Sequence, residues 1–130
     1  MSDERPRYAA TFPAEPATVS RVRREMAAVA TECGLSEEVI VDIRIAVSEI
    51  VTNAIVHAYD YGPGEVRVEA YFARGDLRVV VADDGPGMAP RVKSPGLGLG
   101  LPTAATVTTE LTIVTPRRGG TEVHLTFRGD

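Results

Sequence analysis

The sequence has a single cysteine and no run of basic residues, and both features narrow the class of protein. Cys33 has no second cysteine to pair with, so no internal disulfide is possible and a reducing compartment fits. The densest basic cluster is Arg21, Arg23 and Arg24, and the net charge is −4. Because nucleic-acid binding needs concentrated positive charge, we predict no nucleic-acid partner.

Long apolar segments and metal-ligating clusters are also missing. No segment approaches the roughly 18–20 apolar residues of a membrane span, and residues 1–7 lack a signal-peptide core. We therefore expect a cytoplasmic protein with no membrane partner, in which residues 1–7 are a flexible tail. His57 and His124 are far apart in sequence and no Cys/His cluster accompanies them, which argues against zinc.

The length suits one domain spanning residues 1–130, with 44% hydrophobic and 25% charged residues. Apolar spacing predicts two consecutive helices. The first covers about 16–33 and ends at Gly34 in a left-handed cap, and the second covers about 37–57 with Ser36 as its N-cap.

The predicted strands are residues 8–12, 66–72, 77–82, 111–114 and 121–127, and apolar residues alternate along the first two of them. A short helix is predicted to end near Val107. Hairpins dominate this order, so we predict an α+β fold with a mostly antiparallel sheet and helices on one face.

Three polar residues, Glu49, Asn53 and His57, follow one another at intervals of four on the second predicted helix. Four residues turn an α-helix by about 400°, so these side chains nearly stack on one face. The spacing alone fits either a solvated face or the edge of a pocket.

A first glycine motif, Asp83-x-Gly85-x-Gly87, ends a hydrophobic strand. Its glycines let the backbone come close to a ligand, and its carboxylate can accept a hydrogen bond from an exocyclic amine. Asp-Gly and Pro-Gly are also common turn pairs, so a plain turn is the alternative.

A second motif, Gly96-x-Gly98-x-Gly100, precedes the short helix. Backbone N–H groups at a helix start bind phosphates, although a flexible loop has the same composition. No P-loop pattern occurs, and Leu101 stands where the dinucleotide fingerprint needs glycine.

Together these motifs resemble those of the GHKL ATPases, over about residues 8–127. Ser48–Tyr59 resembles the N box, Asp83–Met88 the first glycine box, Gly96–Leu101 the second, and Gly119–Thr121 a late Gly-Thr element. The N box is most similar to that of the anti-sigma factor serine/threonine kinases. The resemblance implies a two-layer α/β sandwich, the Bergerat-type ATP-binding fold.

The resemblance also implies ATP and Mg²⁺ as ligands, and it assigns roles to residues. Asn53 would coordinate Mg²⁺, and Glu49 would be the general base for an incoming serine hydroxyl. Asp83 would bind the adenine amino group, and Thr121 would lie near the adenine. For His57, a phosphate contact and a structural hydrogen bond at the helix end both stay open.

The other residues assigned to the nucleotide are Gly85, Gly87, Met88, Gly96, Leu97, Gly98, Leu99 and Gly100. The loop from Met88 to Pro95 is expected to be mobile. It offers Arg91 and Lys93 as alternative cations for the γ-phosphate.

The function implied is a protein serine/threonine kinase that phosphorylates an antagonist protein, binds a sigma factor and forms a homodimer. Val19, Val22 and Met26 fit either a dimer face or the core. Two alternatives stay open: a nucleotide-binding partner-switching module without kinase activity, and a stand-alone histidine-kinase-type catalytic domain. Glu49 favours the kinase, because a protein that only binds nucleotide needs no base there.

Overall fold

The computed structural model describes residues 5–59, 62–85, 101–117 and 119–129. Its elements are β1 (Tyr8–Pro13), α1 (Pro16–Glu32), α2 (Glu37–Asn53), a π-helical turn (Ala54–Ala58), β2 (Glu65–Ala73), β3 (Asp76–Asp83), α3 (Leu101–Val107), β4 (Glu110–Val114) and β5 (Thr121–Arg128). The predicted order of strands and helices is confirmed. The expected loop over 88–95 lies outside the described residues.

Both predicted caps between α1 and α2 form. Gly34 has a φ of +82°, and the N–H of Leu35 reaches back to the carbonyl of Ala30 at 3.1 Å, which together make a Schellman-type ending. The hydroxyl of Ser36 accepts a hydrogen bond from the N–H of Val39 at 3.3 Å. The two helices therefore begin and end where local sequence places them.

The end of α2 differs from the prediction. The α-helix stops at Asn53, and a π-helical turn, Ala54–Ala58, replaces the predicted last α-helical turn. The N–H of Tyr59 donates to the carbonyl of Ala54 at 3.2 Å, the i→i+5 bond typical of a π turn. This wider turn moves His57 away from the position that a continuing α-helix would give it.

The strands form one antiparallel sheet in the order β1-β2-β3-β5-β4. Arg74 and Gly75 both have positive φ, +58° and +85°, which gives the hairpin between β2 and β3 the backbone of a type I′ turn. One face of the sheet carries the buried apolar side chains that pack under the helices. The α+β sandwich with helices on one face is confirmed.

Burial decides between a dimer face and the core for the apolar residues on α1. Val22 and Met26 are 0% exposed and belong to the hydrophobic core, and Val19 packs against that core. Val22 and Met26 therefore do not form a dimer face. Among the described residues, no helix is both long and apolar enough to cross a bilayer.

Candidate functional site

Helix α2 occupies the centre of the helical layer and so fixes the polar residues it carries. It packs against α1 on one side and α3 on the other, with β3 and β5 beneath it. Near its end, the hydroxyl of Ser48 accepts a hydrogen bond from the guanidinium of Arg23 on α1 at 3.2 Å. This bond holds α1 against α2 next to Glu49.

Asn53 is the most unusual side chain on α2, because it is polar and only 2% exposed. Its side-chain nitrogen is buried and has no hydrogen-bond partner among the described residues. Leaving such a group unpaired costs about 1–3 kcal/mol, so the amide is suited to binding a group from outside the chain. Its side-chain oxygen is the hard donor type that Mg²⁺ prefers, so this residue fits the predicted ion.

Glu49 lies one helical turn before Asn53 and is half-buried at an open groove between α1 and α2. The groove has a volume of about 440 Å³ and is lined by Arg23, Val41, Arg44, Ile45, Ser48 and Glu49. Within the described part of the chain, the Glu49 carboxylate has no hydrogen-bond or ion-pair partner. A carboxylate that is reachable and unpaired is available to accept a proton.

His57 stands in the π turn and is half-buried. The structural hydrogen bond considered for it is not formed with any residue that the structure describes. The helix end is closed instead by the backbone bond from Tyr59 to Ala54. A phosphate contact of His57 stays a prediction.

Asp83 ends β3 on the face of the sheet that lies under the helices, in line with Val79 and Val81. It is 4% exposed, and one of its carboxylate oxygens accepts a hydrogen bond from the N–H of Gly85 at 3.0 Å. Burial raises the pKa of this carboxyl, and the Gly85 N–H partly opposes that effect. The bond from Gly85 fits a turn at the start of this motif, whose later residues lie outside the described ones. The ligand interpretation stays a prediction, and the buried carboxylate has spare acceptor capacity for it.

Thr121 lies directly opposite Asp83, since the two residues are paired between β3 and β5. It is 1% exposed and faces the helical layer, as Val123 and Leu125 do. Gly120, just before it, has a φ of +85°, and a Cβ at this position would overlap the carbonyl oxygen of Asp83. The late Gly-Thr element therefore packs against the backbone of the first glycine motif.

We expect Gly120→Ala to destabilise the protein more than the same change at Gly75. Both glycines have a φ of +85°, but Gly75 has open space around it. An alanine held in the left-handed backbone conformation lowers the free energy of unfolding by about 1–2 kcal/mol at either site. Overlap of its Cβ with Asp83 lowers it by about 1–3 kcal/mol more at Gly120. Urea unfolding of the two variants measures the difference. Equal losses of unfolding free energy would contradict the close approach between Gly120 and Asp83.

Several predicted site residues lie outside the described residues, namely Gly87, Met88, Gly96, Leu97, Gly98, Leu99 and Gly100, together with Arg91 and Lys93. Among those described, Glu49 and Asn53 share α2, while Asp83, Gly85 and Thr121 share one end of the sheet. The described residues hold no cluster of His, Cys, Asp and Glu that could bind a metal.

Sequence reasoning gave no role to Tyr59, whose hydroxyl bonds to the backbone N–H of Asp84 at 2.7 Å. It also missed the ion pair between Arg67 and Asp84 at 3.1 Å. Neither contact has a sequence signature, because each joins residues that are distant along the chain. The available sequence signal for Tyr59 was its residue type, since it is an amphipathic aromatic residue at the end of the N box.

Comparison with known proteins agrees with this architecture. Residues 12–127 match the family model described as "Histidine kinase-like ATPase domain". A serine-protein kinase RsbW of Bacillus velezensis is 45% identical over 75 residues, which are 57% of this chain and 47% of the relative. A second, from Bacillus licheniformis, is 40% identical over 88 residues, 66% of this chain and 55% of the relative.

The chain thus spans about half the length of the curated relatives it matches. Among solved structures, the RsbU and RsbW domains of Rv1364c from Mycobacterium tuberculosis superpose with a TM-score of 0.71 at 29% identity. That match covers 94% of this chain and 32% of the other. With the family model matching residues 12–127, this chain belongs to the histidine kinase-like ATPase domain family.

Proposed function

We propose that the chain is an ATP-dependent protein serine/threonine kinase that acts as an anti-sigma factor by phosphorylating an antagonist protein. The observation that carries this proposal is the placement of Glu49. Its carboxylate is unpaired among the described residues and lies in an open groove, one helical turn from the buried amide of Asn53. A base beside a nucleotide site serves group transfer, whereas a site that only binds nucleotide has no use for it.

The adenine end of the nucleotide would lie at the end of the sheet. Asp83 is buried there, and its carboxylate has acceptor capacity beyond its bond to Gly85. An exocyclic amine has the N–H that such an acceptor needs, and Thr121 lies opposite on the neighbouring strand. Family membership supports ATP as the nucleotide.

The phosphate end would lie near the end of α2. The side-chain oxygen of Asn53 would hold Mg²⁺. The nitrogen of the same amide has no partner within the described parts of the chain, which supports a polar group from outside the chain at this place. When bound, Mg²⁺ neutralises negative charge on the phosphates, which is much of what phosphoryl transfer requires.

Glu49 would take the proton from a serine hydroxyl of the substrate protein. The hydroxyl oxygen then forms a bond to the γ-phosphorus as the bond between that phosphorus and the β,γ-bridging oxygen breaks, and ADP leaves. The groove at Glu49 is open, and two of its apolar lining residues are among the exposed large hydrophobics, Val41 at 50% and Ile45 at 37%. A protein surface can therefore reach the base.

The relatives named serine-protein kinase support serine as the acceptor. A sigma factor and an antagonist protein are the proposed partners, and a homodimer stays a prediction. The matched relatives are about twice as long as the segment that aligns with this chain. We therefore propose their kinase activity for this chain.

The test begins with calorimetry of ATP binding with and without Mg²⁺, with GTP as the control nucleotide. We expect magnesium-dependent binding that selects adenine, followed by transfer of labelled γ-phosphate to serine in a phosphatase-treated proteome of the encoding organism. Binding without transfer would favour the partner-switching module, and acid-labile phosphate would favour the histidine-kinase-type domain. Absence of binding at millimolar ATP would contradict the ATP site.

A further inference from the structure

The side chain of Tyr59 connects three separate segments of the chain. Its hydroxyl donates a hydrogen bond to the carbonyl of Glu65 at 2.8 Å and accepts one from the N–H of Asp84 at 2.7 Å. A phenol has one proton and both partners are backbone groups, so donor and acceptor are fixed. Tyr59 therefore ties the end of the π turn to the start of β2 and to the residue after β3.

The ring of Tyr59 is held in place by its surroundings. A Cβ at position 64 would overlap the ring, so Gly64 is the residue that makes room for it. The ring also packs against the hydrophobic core, and the carbonyl of Tyr59 accepts a hydrogen bond from the N–H of Gly62 at 2.7 Å. The hydroxyl is consequently presented in one direction.

The peptide group between Asp83 and Asp84 is contacted on both of its polar sides. Its N–H donates to Tyr59, and its carbonyl oxygen faces Gly120 at a distance that admits no side chain. The side chain of Asp84 pairs with Arg67 and points to solvent, so it does not compete for the site. The direction of the buried Asp83 side chain thus depends on a peptide that Tyr59 holds.

We propose that Tyr59 is a positioning residue that fixes the Asp83 carboxylate relative to Asn53, and through this sets affinity and selectivity for adenine. Asn53 immediately precedes the π turn and Tyr59 immediately follows it, so one short segment links the two ends of the candidate nucleotide site. The proposal rests on the ATP site described above. Tyr59 would not contact the nucleotide itself but would control the position from which Asp83 binds the adenine.

Tyr59→Phe tests this proposal, because it keeps the ring above Gly64 and removes only the hydroxyl. We expect ATP affinity, measured by calorimetry, to fall on the order of tenfold, the effect of one lost hydrogen bond. The preference for ATP over GTP should fall with it. In the nucleotide-free protein, the backbone N–H of Asp84 should exchange with solvent faster in the variant than in the wild type, as measured by NMR.

A matched control is Tyr71→Phe. This change also removes a phenol hydroxyl, one that bonds to Glu69 at 2.9 Å on the sheet face opposite the helices. It should leave ATP affinity, selectivity and the exchange rate of the Asp84 N–H unchanged.

A double-mutant cycle with Asp83→Asn separates positioning from a general structural effect. If Tyr59 acts through Asp83, Tyr59→Phe should change ATP affinity little once Asp83 is already Asn. A loss that persists in full in that background would overturn the proposal, and so would wild-type affinity and selectivity in Tyr59→Phe. If the wild-type protein binds no ATP, the proposed function fails; if Asp83→Asn weakens binding and Tyr59→Phe does not, only the positioning role fails.

Discussion

Asp83→Asn is expected to lower the affinity for ATP by about 10- to 150-fold while the protein stays folded. The substitution replaces a charged acceptor with a neutral amide, and a hydrogen bond to a charged group contributes about 1.5–3 kcal/mol. Asp83 is buried at the end of β3, so water does not readily replace the lost acceptor. Calorimetry with ATP measures the change, and unchanged affinity would remove Asp83 from the adenine site.

The neighbouring carboxylate provides the control for this experiment. Asp84→Asn changes the same functional group one residue later, where the side chain is 59% exposed and paired with Arg67. Exposed ion pairs contribute about 0–1 kcal/mol to stability. The Asp84 variant should therefore bind ATP nearly as the wild type does, because its bond to Tyr59 uses the backbone N–H.

The pKa of Asp83 supplies an independent check on stability. Burial raises this pKa, so the folded state favours the protonated carboxyl more than the unfolded state does. The protonated Asp83 carboxyl makes its whole contribution to the free energy of unfolding below the ordinary pKa of 3.8. That contribution is lost as the pH rises through the higher pKa of the folded state. At pH 7 the charged carboxylate therefore costs stability, and urea unfolding should show Asp83→Asn to be at least as stable as the wild type.

Glu49→Ala is expected to retain ATP binding and to slow phosphate transfer by about 100- to 10,000-fold, the range for a lost general base. Glu49 borders the open groove between α1 and α2, and its carboxylate has no structural partner among the described residues, so its removal should leave the fold intact. Glu49→Gln should behave in the same way, because it keeps the size of the side chain and removes its basicity. The measurement is the rate of serine phosphorylation with labelled ATP.

Glu38→Ala is the matched control, since Glu38 is an exposed glutamate in the first turn of the same helix. This variant should transfer phosphate at the wild-type rate. If Glu49→Ala does so too, Glu49 is not the base. If it binds no ATP, its role lies in the nucleotide site rather than in proton transfer.

Local sequence was sufficient for much of the fold. Gly34 and Ser36 act through bonds within a few residues of themselves, so the boundary between α1 and α2 follows from residue type and spacing. The alternation along β5 indicates which of its residues share the buried face, Thr121 among them. The residues of β3 from Val79 to Asp83 are all buried, so the direction of Asp83 follows from its pairing with Thr121.

The end of α2 was not predictable in the same way. A π turn differs from an α turn by one residue in its hydrogen bonding, and the apolar pattern through Ala54 and Ile55 suits both. The tertiary contacts of Tyr59 with Glu65 and Asp84 accompany the wider turn and have no counterpart in local sequence. Of the three residues expected to stack on one face, Glu49 and Asn53 lie within α2, whereas His57 lies in the π turn beyond its end.

By itself, the sequence determined the order of elements, because that order depends on propensity and periodicity. The candidate site residues were predicted from the resemblance of their motifs to those of the GHKL ATPases. Only the tertiary structure decided that Val22 and Met26 are core, that Asn53 is buried with a side-chain nitrogen that has no partner among the described residues, and that Gly120 packs against Asp83. Burial and close approach are properties of pairs of elements that meet across the fold, and neither element's own sequence specifies its partner.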